Sequence, residues 1–214
     1  MVQEPDDRRI DADATTLGDD GTPKGKAVGH DGKPKEPFFS TRDIAFSGVS
    51  IALLAVSAWV TVSFGPVPFT LQTMVVTFVA LALSPRQAML AICGYVVLGA
   101  IGLPVFSGMR GGIGVLAGPT GGFIVGFVVG VALALVIVKA GRTPVRELAA
   151  AGACLLASYA FGWAWLMYVG NLTPMAAFAA ACAPFIIPDI IKGLVGIALA
   201  RAVRAAIPGL VQVA

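Results

Sequence analysis

Pro119-Thr-Gly-Gly-Phe-Ile-Val-Gly-Phe-Val-Val-Gly-Val-Ala-Leu-Ala-Leu-Val-Ile-Val-Lys139 carries no charge until its last residue. A bilayer core of ~30 Å takes about 20 helical residues to cross, so this stretch reads as a membrane span. Working outward from it, uncharged apolar runs recur at approximately 44–64, 69–83, 87–104, 148–169 and 175–200. The fold expected is therefore an all-α membrane protein with six transmembrane helices over residues 41–214. Composition agrees: 57% of the residues are hydrophobic and 13% charged, about half the charge of a soluble domain. Ser84-Pro85-Arg86 separates the second run from the third, and a charge beside a proline in mid-membrane is costly, so a tight hairpin is expected there.

The charges are unevenly placed. Residues 1–40 hold nine acids and six bases, whereas residues 41–214 hold three acids, Asp43, Glu147 and Asp189, against nine bases. The first 40 residues are rich in Asp, Gly, Lys and Pro, too polar to offset the entropy of ordering, and read as a disordered cytoplasmic tail. Setting the N-terminus in the cytoplasm puts Lys33, Lys35, Arg42, Arg86, Lys139, Arg142, Arg146, Arg201 and Arg204 inside, and Arg110 alone in the outer loops. That bias follows the positive-inside rule. With six spans, it makes the chain a multi-pass protein of the cell membrane with both termini cytoplasmic.

Two features depart from a plain bundle. Asp189 and Lys192, in Phe185-Ile-Ile-Pro-Asp-Ile-Ile-Lys-Gly-Leu, are the only charges between Glu147 and Arg201. Three apart on a helix they share a face, and an intramembrane charge marks a functional site by default. The competing reading is a structural ion pair, a poor source of stability. The second feature is the glycine-rich connection from Phe106 to Gly122, uncharged except for Arg110. It is too apolar for a solvent loop and is expected to cover the bundle's outer mouth. Arg110 either meets a ligand carboxylate or lies among headgroups. Thr70 and Gln72 bring hydrogen-bonding groups to the same end, and Tyr95 adds an aromatic body with a polar tip.

These groups suit a small polar ligand in a mostly apolar pocket. Catalysis is not expected: the sole histidine, His30, is in the tail, and neither a nucleophile–base pair nor a metal-ligand cluster is present. Nor is a cofactor or nucleic-acid partner implied. Cys93, Cys154 and Cys182 read as small buried hydrophobes. Without an ATP-binding motif, active transport needs another protein or an ion gradient. Small residues four apart allow close backbone approach. Gly118, Gly122, Gly126 and Gly130 read as packing within the chain, and Gly48 with Ala52 as packing or a partner contact.

Four stretches carry a family resemblance: Gly65-Pro-Val-Pro-Phe-Thr-Leu-Gln-Thr, Tyr95-Val-Val-Leu-Gly-Ala-Ile-Gly-Leu-Pro-Val-Phe, Gly118-Pro-Thr-Gly-Gly and Asp189-Ile-Ile-Lys. In this order they resemble the BioY family, the biotin-specific substrate-binding (S) components of energy-coupling factor (ECF) vitamin transporters. The resemblance implies biotin as transported ligand, with Asp189 and Lys192 on its ureido ring and with Gly118 and Thr120 joining the substrate-binding set. It also implies partners: a transmembrane coupling subunit, docked on Gly48 and Ala52, and ATPase subunits. The usual small-residue motif has Ala where Gly48 stands, and Met109-Arg110 replaces the usual small residues. An S component for another vitamin and a stand-alone ion-coupled carrier are the alternatives.

Overall fold

The structure, a computed structural model, describes residues 40–63 and 65–207; apart from Ser40, the expected tail lies outside the described residues. Helix α1 (Thr41–Trp59) leads into a short antiparallel hairpin, β1 (Thr61–Ser63) and β2 (Pro68–Thr70), in which Val62 pairs with Phe69. Then follow α2 (Gln72–Ala82), α3 (Pro85–Ala100), α4 (Ile113–Ala117), α5 (Gly121–Lys139), α6 (Pro144–Val169), α7 (Pro174–Ala181) and α8 (Ile186–Ala206).

Local chemistry sets the helix starts. Ser84, Thr143 and Thr173 each accept a hydrogen bond from the backbone N–H three residues on, and each precedes a proline at the first helical position. Ser84 and Gln87 complete a reciprocal capping box. The hairpin expected at Ser84-Pro85-Arg86 is thus a capped turn between α2 and α3.

The expected count of six transmembrane helices is not what the structure has. Among the described residues three helices, α1, α5 and α6, are long and apolar enough to cross a membrane. A fourth span is added if α7 and α8, bent by 47° at residues 182–185, are counted as one. The second expected span fails on length: residues 68–70 are strand, leaving α2 with 11 residues, or ~17 Å at 1.5 Å per residue. Its apolarity has another cause. Val75, Val76, Val79, Ala80, Leu81 and Ala82 are all buried against protein, as befits a helix apolar all round at the centre of a bundle. The third, α3, stops at Ala100 after 16 residues.

Close helix contact comes from glycine. A Cβ on Gly126 would lie 2.7 Å from Ser158 Cα, and one on Gly130 2.8 Å from Cys154 Cα, so α5 and α6 touch backbone to backbone. Gly122 meets α6 in the same way; Gly118 lies outside the helix and meets α4 instead. Gly196 of α8 does likewise on α2, where a Cβ would be 2.7 Å from Met74 O.

The two ends of the bundle differ in chemistry. At one end Glu147, buried, accepts from Arg201 Nε (2.5 Å) and from Arg204. Arg142 and Arg204 both donate to the Leu81 carbonyl, and Arg142 also to that of Leu83 (3.1 Å), closing the free end of α2. Burial lowers the Arg142 pKa, Arg204 adds to the shift, and Glu147 opposes it. At the opposite end Trp59, Trp163 and Trp165 each donate to a backbone carbonyl, of Pro104, Pro174 and Gly118, at 2.8–2.9 Å. Indoles in that arrangement suit a membrane interface.

Candidate substrate-binding site

The site lies towards the tryptophan end, where α8 begins beside the β-hairpin. Residues 182–185 break the last apolar run, so α8 starts at Ile186 and Pro188 falls in its first turn, where a missing N–H costs nothing. Asp189 and Lys192, one turn apart and both buried, form an ion pair.

Their remaining contacts come from other elements. Thr73 Oγ1 of α2 donates to Asp189 Oδ1 (2.9 Å), and Tyr159 Oη of α6 donates to Asp189 Oδ2 (2.8 Å). Lys192 Nζ donates to the Thr70 carbonyl (2.7 Å) and sits 4.0 Å from the centre of the Phe69 ring, a cation–π distance. A carboxylate offers about four acceptor sites and an ammonium three donors. Among the described residues, hydrogen bonds and the ion pair occupy three of the former and two of the latter, and the Phe69 ring lies against the ammonium.

That pair lines a cleft with an open mouth. The space that a water's centre reaches inside it is ≈ 60 Å³, so the walls stand close. Phe69, Phe123 and Phe185 are among its apolar walls, with Thr70, Gln72, Thr73 and Thr120 among its polar ones. Phe69 and Phe185 stack with ring centres 6.3 Å apart.

The candidate residues read from sequence separate into three groups. Asp189, Lys192, Thr70, Gln72 and Thr120 line the cleft. Tyr95 stands behind it, fully buried, accepting from Gln72 Nε2 (2.6 Å) and donating to the Val105 carbonyl (3.0 Å). Tyr95 therefore fixes Gln72 rather than facing the cavity. Arg110 and Gly118 line a neighbouring open pocket that shares Thr120 with the cleft. Arg110 Nε donates to the Ser107 carbonyl (3.1 Å) across the tight turn that bridges Phe106 to Arg110.

Sequence reasoning missed Thr73 and Tyr159. Tyr159 had a signal of the kind that singled out Tyr95, a polar tip in an apolar helix; Thr73 had only its place next to Gln72. Gly48 and Ala52 are exposed on α1, and a Cβ at Gly48 would meet nothing within 4 Å among the described residues, so that face is not spent on packing within the described chain. Among the described residues no cluster of three metal-ligating side chains occurs.

Comparison with known proteins bears on this geometry. The BioY family profile matches residues 31–209. The "Probable biotin transporter BioY" of Pyrococcus horikoshii is 40% identical over 161 residues, covering 75% of this chain and 94% of its own. The biotin transporters BioY of Thermotoga maritima (38% over 160 residues; 74% and 94%) and Rhizobium etli (34% over 181 residues; 79% and 96%) are similar to a like extent. A crystal structure of the S-component for biotin from an ECF-type ABC transporter superposes with a TM-score of 0.71 at 22% identity, over 77% of this chain and 91% of that one.

Proposed function

The chain belongs to the BioY family, and on that footing we propose that it captures biotin within the membrane as the S component of an ECF transporter. It binds and carries its substrate and is not an enzyme. The observation that supports the reading is the buried, oppositely charged Asp189–Lys192 pair in the wall of the cleft. A cyclic urea presents an N–H and a C=O side by side. Asp189 accepts the former and Lys192 donates to the latter, both as charge-assisted hydrogen bonds. The phenylalanine walls take the apolar remainder of the ligand, and we assign its carboxylate to Arg110, in the pocket that shares Thr120 with the cleft.

The protein is a multi-pass membrane protein, and we assign its basic end to the cytoplasmic face of the cell membrane. Supporting this, α1 begins and α8 ends there, beside Arg42, Arg86, Arg142, Arg146 and Arg201. Arg110 is the one base in the loops of the opposite end among the described residues. The exposed Gly48–Ala52 face of α1 is assigned to the coupling subunit, through which ATPase subunits would drive uptake.

The test is a thermal-shift comparison on the purified chain. Biotin at about 100 times its Kd should stabilise the protein by roughly 2.7 kcal/mol, while thiamin and riboflavin leave the melting temperature unchanged. Stabilisation by either of those, with none by biotin, would reject the assignment.

A further inference from the structure

A second cleft lies on the far side of Asp189, between α6 and α8. Helix α6 leans on α5 through the glycine contacts, and α8 leans on α2 through Gly196. The two therefore splay, with Thr73, Val76 and Thr77 of α2 forming the floor. The cleft measures ≈ 680 Å³ to its mouth, of which a water's centre can reach ≈ 210 Å³. Its rim residues Leu148, Ile190 and Leu194 are exposed, and on a membrane-spanning helix such residues face lipid.

Two glycines line this cleft without packing against anything. A Cβ on Gly152 or Gly193 would meet no atom within 4 Å among the described residues, unlike one on Gly122, Gly126, Gly130 or Gly196. Glycine inside a helix is unfavourable, and here helix contact does not explain it. The space they leave runs from Ser158 to Leu148, about 15 Å at the helical rise, or half of a ~30 Å hydrocarbon core. Its end at Leu148 and Ile197 lies about one helical turn from Glu147 and Arg201, where the half-exposed Arg201, with Arg204 and Arg142, outnumbers Glu147.

We propose that this cleft is a binding site for an anionic phospholipid, one acyl chain lying between α6 and α8 and the phosphate resting on Arg201. The lining is mostly apolar, with Thr73, Thr77, Ser158 and Asp189 as its polar members; the length suits a chain from one leaflet, and basic residues between helices recognise acidic headgroups. A helix of a partner subunit is the competing occupant.

The test uses the full chain in detergent micelles doped with dioleoylphosphatidylglycerol or dioleoylphosphatidylcholine. Phosphatidylglycerol should raise the melting temperature by roughly 4 °C and phosphatidylcholine by less. Gly152→Leu and Gly193→Leu each fill the cleft, elute as folded protein and lose the shift. Arg201→Gln reduces the phosphatidylglycerol shift to the phosphatidylcholine level. A full shift in both leucine variants would overturn the proposal. So would a photo-reactive side chain at position 152 that marks the coupling subunit, and not lipid, in the assembled transporter.

Discussion

Replacing Asp189 by Asn keeps the shape of the side chain and removes its charge. The carboxylate accepts from Thr73, Tyr159 and Lys192. An amide offers one oxygen, so its nitrogen must face either the Thr73–Lys192 side or the Tyr159 side. Tyr159 can turn its hydroxyl to accept, but Lys192 loses its counter-charge whichever way the amide lies. Hydrogen bonds to a charged group contribute about 1.5–3 kcal/mol, so losing the one to the ligand should weaken biotin binding roughly 10- to 150-fold. Orphaning the buried Lys192 should also cost about 3 kcal/mol of stability. Isothermal titration and thermal melting of the purified variant measure both quantities. Affinity within twofold of the wild type, with the melt unchanged, would refute the reasoning.

Other perturbations separate the site from the scaffold. Tyr159→Phe removes one donor to Asp189 and should weaken biotin binding by about tenfold, read by titration with the variant still folded. Gly126→Val drives a side chain into the α6 backbone and should destabilise by about 3 kcal/mol or more, seen as a lowered melting temperature. Glu147→Gln strands Arg204 and the half-exposed Arg201, and should cost about 3 kcal/mol. Because Glu147 is at the opposite end from the ligand, its variant should keep biotin affinity within threefold. A large affinity loss there would mean that the two ends are coupled.

How much of this was legible in the sequence differs by residue. Asp189 and Lys192 stood out because charges are rare in an apolar run, and the structure joins them as their spacing required. The turn at Ser84-Pro85 was readable from its capping residues. The number of spans was not, because hydropathy reports that a residue avoids water and not what covers it. Helix α2 is as apolar as a span yet is wrapped by its neighbours. The last run broke at residues 182–185, and Pro184 marked the place while Pro188 fell harmlessly in the first turn of α8. Thr73 and Tyr159 reach Asp189 from 116 and 30 residues away, and no local pattern encodes such partnerships. The cluster of Arg201 and Arg204 on the buried Glu147 escaped for the same reason: each charge alone read as part of a loop end.

The most direct measurement is an experimental structure with biotin bound. One ring nitrogen should lie within hydrogen-bond distance of an Asp189 carboxylate oxygen, and the ring oxygen within reach of Lys192 Nζ. Biotin resting elsewhere, with Asp189 and Lys192 bonded only to each other and to Thr73, Tyr159 and Thr70, would contradict the account.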